Sequence, residues 1–329
     1  MASLPLTFAC GLYDRMLPLY TGEVRPEGID LNFIAIDNPR DIFDRMAGGQ
    51  EFDLSEMSSS ETIQRIAANQ SPFVALPVFP SRVFRHGHVS INRKSGIKKP
   101  KDLEGRRVGV PLYTQTAAIF IRGFLAHEYD VDCSKIHWVQ GALNHRGSHG
   151  SPTVLPLLKP ADIETAPADK SLSDLLSEGK IDAITATSMP ASYRRNPDVQ
   201  RLFPNFREVE RDYFQRTGIF PIMHLVALKR SVYEQHPFVA TSLFNAFNQS
   251  KNKQLEKMKA EGATRYMLPW LSTELEEIEE LFKGDPWPYG IDANRPTLDA
   301  LVTYLYEQNL TARKLPLEDV FVPIHGQTH

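Results

Sequence analysis

Cysteine is scarce here: two in 329 residues, Cys10 and Cys133, far apart and in no metal-binding spacing. That excludes a disulfide scaffold and a thiolate metal site, and it fits a reducing compartment, so a cytoplasmic location is expected. Cys10 is read as a small buried hydrophobe, not a nucleophile. No apolar run approaches the roughly 20 residues that a membrane span requires, so no membrane partner is expected. The opening MASLPLTFACGLYDRM lacks a basic segment followed by a long apolar one and does not read as a signal peptide. A basic excess is missing too. Lys and Arg number 37 against 40 Asp and Glu, a net charge of −3, which argues against nucleic acid as a partner. Solenoid-length repeats and low-complexity tracts are absent, which excludes repeat and disordered architectures.

What is present is the composition of a globular protein, 42% apolar and 23% charged. The chain is too long for one ordinary core, so two lobes are expected. Alternation predicts strands at Leu4–Ala9, Ile29–Ile36, Phe52–Met57 and Phe73–Val78. Helical periodicity falls at Asp41–Gly48 and from Glu61 to about Ala68, the latter after Ser58-Ser59-Ser60, whose hydroxyls can cap exposed amides. Arg107–Val110 is a strand leading through the polar loop Pro111–Gln115 into a helix, Thr116–Glu128. Polar side chains and free amides at such a helix start form an anion pocket. The Gly- and Pro-rich stretch 141–168 carries His145 and His149 and reads as a lid. Phe203–Val209 leads back toward the first lobe. Helices then dominate: Pro237–Met258, Ser272–Phe282 and Arg295–Gln308, whose apolar faces offer a surface for a homo-oligomer. This order gives an α/β, two-lobed, periplasmic-binding-protein-like type II fold with mixed, mostly parallel sheets. One lobe is 1–90 plus 222–329 and the other is 93–210. Hinge strands are expected near 89–92 and 224–228, with a ligand cleft between the lobes.

Charge is concentrated in PVFPSRVFRHGHVSIN, where Arg82, Arg85, His86 and His88 fall within seven residues before an apolar strand. Two guanidiniums and two imidazoles so close repel one another unless an anion sits among them. A second group, RTGIFPIMHLVALKR, sets Arg216, Thr217 and His224 around another strand. The two together point to a cleft for a small dianionic aromatic.

LPLTFACGLYDRM, PEGIDLNF, FPSRVFRHG, VGVPLYTQTAAIFIRG, Arg201-Leu202-Phe203-Pro204, RTGIFPIMH, YMLPWL and DPWPYGI follow one another in the order that resembles the 4,5-dihydroxyphthalate decarboxylase family, over nearly the whole chain. The resemblance implies a carboxy-lyase of bacterial phthalate degradation that converts 4,5-dihydroxyphthalate to protocatechuate and carbon dioxide.

That reaction needs a proton at the ring carbon that bears the departing carboxylate, push from the para hydroxyl, and a cation for the carboxylate that stays. Arg82 and Arg85 are the expected anchors, since guanidinium forks match carboxylates but do not give up protons. His86 and His224 are the expected proton carriers, and Glu56 takes the phenolic proton or orients an imidazole. His88, Arg216, Thr217, Tyr113, Thr114, Gln115 and Thr116 complete the expected substrate contacts. No cofactor is expected; the alternative is a divalent metal held by His86, His88, His224 and Glu56. The rival function is a solute-binding protein that captures an aromatic carboxylate without turnover, for which the arginines alone would suffice.

Overall fold

The computed structural model describes residues 3–259 and 266–325. Among them β1 (Leu4–Cys10), β2 (Ile29–Ala35), β3 (Leu54–Ser58), β4 (Phe73–Arg82), β5 (Val89–Asn92), β6 (Arg107–Val110), β7 (His137–Gln140), β8 (Ile163–Thr165), β9 (Ala183–Thr185), β10 (Val199–Arg201) and β11 (Ile222–Lys229) make two sheets. The first has the order β2-β1-β3-β11-β4 and the second β10-β5-β9-β6-β7-β8. β11 lies antiparallel between β3 and β4, and β5 antiparallel between β9 and β10, while the remaining pairs are parallel. Each sheet is thus completed by a strand that enters against the prevailing direction where the chain has just changed lobes. The first sheet draws on residues 4–82 and 222–229, and the second on 89–201.

The expected hinge strands do not themselves bridge the lobes. Among the described residues β5 pairs with β9 and β10 alone, and β11 with β3 and β4 alone. The passages are the segments 83–88 and 202–221. The second of these holds a helix, Phe206–Thr217, where the sequence pattern predicts an irregular return. Its only fully buried residue is Tyr213, so it carries too little apolar periodicity to stand out.

Packing follows the two expected periods. Helix Phe238–Lys259 buries Val239, Leu243 and Phe247 at four-residue spacing, and Phe247 meets Phe8 of β1 edge-on at 5.1 Å. Helix Pro39–Gly49 starts where Asn38 accepts from the Arg40 amide and Pro39 fills the first turn, then buries Ile42, Phe43 and Met46.

The pairing of β11 with β4 is irregular on either side of His224. Pro77 and Pro80 in β4 have no N–H to give the ladder. Their carbonyls serve elsewhere: Gly290 donates to Pro77, and the Arg15 guanidinium to Pro80 at 2.7 Å from Nε. Such irregularity re-aims side chains. It accounts for how the consecutive residues Met223 and His224 both reach one cavity, which a regular strand with alternating faces would prevent.

Candidate active site

Three helix starts converge on one cavity of about 210 Å³ between the lobes. Asn38, Pro39 and Arg40 come from helix Pro39–Gly49, Ser58 and Glu61 from helix Ser59–Ala67, and Gln115, Thr116 and Ala117 from helix Thr116–Tyr129. The last two starts are tied across the lobes. The Thr116 hydroxyl accepts from the Ser60 amide at 3.0 Å and lies 3.1 Å from the Ser58 hydroxyl, and Ser60 Oγ donates to the Thr114 carbonyl at 2.8 Å. The Arg40 and Ser60 amides are taken by Asn38 Oδ1 and Thr116 Oγ1, but the start of Thr116–Tyr129 has no side-chain cap and the positive ends of three helix dipoles meet here, so the region favours negative charge.

Arg85 reinforces it. The side chain is buried, and its Nη1 donates to the Thr187 carbonyl at 2.8 Å while Nε meets Met223 Sδ at 3.3 Å. Among the described residues no carboxylate pairs with it and its Nη2 has no protein partner. Burial pulls its pKa down to about 10, against a partial counter-pull from Glu210, and the group stays charged near neutrality. Arg40, by contrast, is spoken for: it forms a two-pronged buried pair with Glu61 at 2.7 and 3.1 Å and also holds Asp44.

His224 is the cavity-lining imidazole that the structure ties to a buried carboxylate. Its Nδ1 lies 2.5 Å from Glu56 Oε1, and its ring packs edge-on against Phe43. Glu56 is completely buried, and it also accepts from Tyr13 Oη at 2.8 Å and the Gly11 amide at 3.1 Å. Burial alone would raise its pKa, but His224, the Gly11 amide and the Tyr13 hydroxyl hold it below the ordinary range. A fixed carboxylate behind one ring nitrogen sets the orientation and tautomer of the imidazole, while among the described residues Nε2 is left without a protein partner.

The other residues expected at the site fall into two groups. Gln115 and Thr116 line the cavity with Arg85 and His224. Tyr113, Thr114, Arg82, His86, His88, Arg216 and Thr217 do not. Tyr113 lies under the Arg122 guanidinium, 3.7 Å from it, facing a different hollow. Thr114 contributes its carbonyl to Ser60. Arg216 is half-exposed and pairs with Asp212 and Glu128, and Thr217 closes its own helix by donating to the Tyr213 carbonyl at 2.6 Å. His88 is shifted to about 4 by burial, with Arg85 and Arg201 adding to the push. Among the described residues no group of three or more His, Cys, Asp or Glu is arranged to hold a metal, so the quartet His86, His88, His224 and Glu56 is not assembled.

Arg82 is a structural clamp. Its Nη1 donates to Asn294 Oδ1 at 2.7 Å and its Nη2 to the Phe220 carbonyl at 3.0 Å, with the Phe220 ring beneath it. Arg82→Met is therefore expected to lower stability by about 1–3 kcal/mol, the cost of stranding buried acceptors. It should leave KM unchanged. Urea unfolding and steady-state kinetics on one preparation check both halves.

His86 stacks on Phe124 at 4.0 Å between Phe203 and Tyr213, and among the described residues neither ring nitrogen has a partner. Burial, and then Arg216, depress its pKa to about 4. The unfolded chain takes up this proton near pH 6.5 and the folded chain does not, so stability falls as pH drops from about 6.5 toward 4. The expected loss from this group between pH 7 and 5 is about 2 kcal/mol. Urea midpoints at the two pH values should show that loss in the wild type and less of it in His86→Leu.

Arg40, Glu61, His149, Thr187 and Met223 enter the cavity without having been expected there. The histidine-bearing lid at 141–168 was a visible signal for His149. Nothing local marks Thr187 or Met223.

Two mixed sheets with a cavity between them make the two-lobed, periplasmic-binding-protein-like fold. The solved structure of a Bordetella bronchiseptica protein aligns over 97% of this chain and 95% of that one, at 17% identity and TM-score 0.51. The periplasmic sulfonate-binding protein SsuA of Methylobacillus flagellatus covers 98% and 93%, at 12% identity and TM-score 0.51. No family model matches the chain. A 4,5-dihydroxyphthalate decarboxylase of Comamonas testosteroni is 35% identical over 329 residues, 98% of each chain, and one of Pseudomonas putida is 35% identical over 216 residues, 65% of this chain and 83% of the relative. The chain belongs to the 4,5-dihydroxyphthalate decarboxylase family, and it is an enzyme of the carboxy-lyase class.

Proposed function

We propose that the cavity binds 4,5-dihydroxyphthalate and releases one of its carboxylates as carbon dioxide, leaving protocatechuate. The observation that carries this reading is the unpaired, buried Arg85 sharing a cavity with three helix starts and the Glu56-backed His224. A benzene ring fits a cavity of about 150 Å³, so about 210 Å³ suits one ring with small substituents. Arg85 takes the carboxylate that stays, and the helix starts face the second negative group. His224, as an imidazolium, hands its Nε2 proton to the ring carbon that bears the departing carboxylate. The carbon dioxide can then leave with its electron pair returning to the ring. Glu56 holds the imidazole and its charge but, being fully buried, does not reach the substrate. No step calls for a metal or cofactor. A cytoplasmic site of action fits two free cysteines, one of them buried, and among the described residues no helix is long and apolar enough to cross a membrane.

The test compares two ligands. 4,5-Dihydroxyphthalate should be consumed with one equivalent of carbon dioxide released. Phthalate, which lacks the hydroxyl that pushes electrons toward the ring, should bind and remain intact. Saturable binding of both with no release from either would favour a receptor.

A further inference from the structure

The reaction needs a second proton-handling group, one that removes the phenolic proton as the ring is protonated, and Glu56 is walled off from the cavity. A different imidazole reaches it. The segment between β7 and β8 leaves the second sheet and lies across the first lobe. The Ser151 amide donates to Asp44 Oδ2 at 3.0 Å, and Arg65 donates to the Thr153 carbonyl. Gly150, at φ +71°, presses against Arg40 so closely that an added Cβ would sit 2.6 Å from the Arg40 Cγ. This strap brings His149 to the cavity wall, with neither ring nitrogen bonded to protein among the described residues. The charged and titratable groups around it are Arg40, Glu61, Asp44 and His145, and burial, followed by Arg40, favours its neutral form.

We propose that His149 is the base for the phenolic proton, a catalytic residue supplied by the lobe opposite His224. The proposal rests on the decarboxylase reading above. Neutral His149 takes the proton from the hydroxyl para to the departing carboxylate, and the oxygen pair moves into the ring. His224 delivers its proton to the carboxylate-bearing carbon, giving a cyclohexadienone. The bond to that carboxylate breaks, its electron pair restores the aromatic ring, and the oxygen takes its proton back from His149. His224 ends neutral and is recharged by one proton from water. The sum is substrate dianion plus one proton to product monoanion plus carbon dioxide.

His149→Gln tests this. At pH 6 kcat should fall by about 100-fold, within the usual range for loss of a positioned base. The loss should shrink toward pH 9, where hydroxide takes over removal of the phenolic proton, and added imidazole should restore part of the rate. The Kd for phthalate should move by less than about threefold. Gly150→Ala, which leaves His149 in place in the sequence but displaces the strap, should show the same pH-dependent loss. A kcat within threefold of wild type from pH 6 to 9, or an equal loss at every pH, would overturn the assignment. Failure of the wild type to release carbon dioxide would count against the decarboxylase reading instead, so the two are separable.

Discussion

Arg85→Met lowers kcat/KM for 4,5-dihydroxyphthalate by about 30- to 1,000-fold, corresponding to about 2–4 kcal/mol, the usual range when one partner of a buried charge contact is removed. Most of it should appear in KM, because a carboxylate that does not react is held alike in the ground and transition states. Among the described residues no carboxylate is stranded when this guanidinium goes; the Thr187 carbonyl and Met223 lose a donor. A methionine of similar length beside Met223 therefore costs little, and relief from an uncompensated buried charge offsets part of the loss. Thermal unfolding should thus stay within a few degrees of wild type. Arg82→Met shows the opposite pattern, stability lost and KM kept. Two arginines three residues apart are separated by measuring both quantities on both variants.

His224→Gln is the second large effect. Glutamine can still donate to Glu56, so the network with Tyr13 and Gly11 survives, but it holds no proton that it can give to carbon near neutrality. The expected fall in kcat is about 10²- to 10⁴-fold. Phthalate affinity should be kept if, as proposed, His224 contributes the proton and Arg85 the main anchor. Isothermal titration with phthalate beside a rate measurement separates these two. Equal losses in affinity and rate would mean that His224 only shapes the cavity.

Much of this was legible in the chain. The order of strands and helices announced two lobes, and the return of β11 to the first sheet followed from its late apolar run. Gln115 and Thr116 stood out as a polar helix start after a strand, a pattern that suits either capping or ligand contact, and the structure puts both on the cavity wall with Thr116 also tying in Ser60. His224 and Glu56 were readable as residue types flanking strands, although their contact spans 168 positions and only folding brings it about. The dense run at 82–88 was harder. Its four charged or titratable side chains look equivalent in sequence. The turn at His86–His88 sends them different ways: Arg82 toward Asn294, Arg85 toward Thr187, and His86 onto Phe124. Nothing local encodes that division, because each destination lies on a distant segment. Arg40 was invisible for a similar reason. An arginine in the first turn of an amphipathic helix reads as solvated until Glu61 is folded against it.

The measurement that bears most directly on the central claim is the reaction followed by NMR in deuterated water. Arg85 and the Glu56-backed His224 together predict one equivalent of carbon dioxide per substrate. The protocatechuate should carry deuterium at the single ring carbon that lost its carboxylate, formed at wild-type rate only when both side chains are intact. Bound but unchanged 4,5-dihydroxyphthalate, or the same labelled product formed at full rate by the His224→Gln protein, would contradict it.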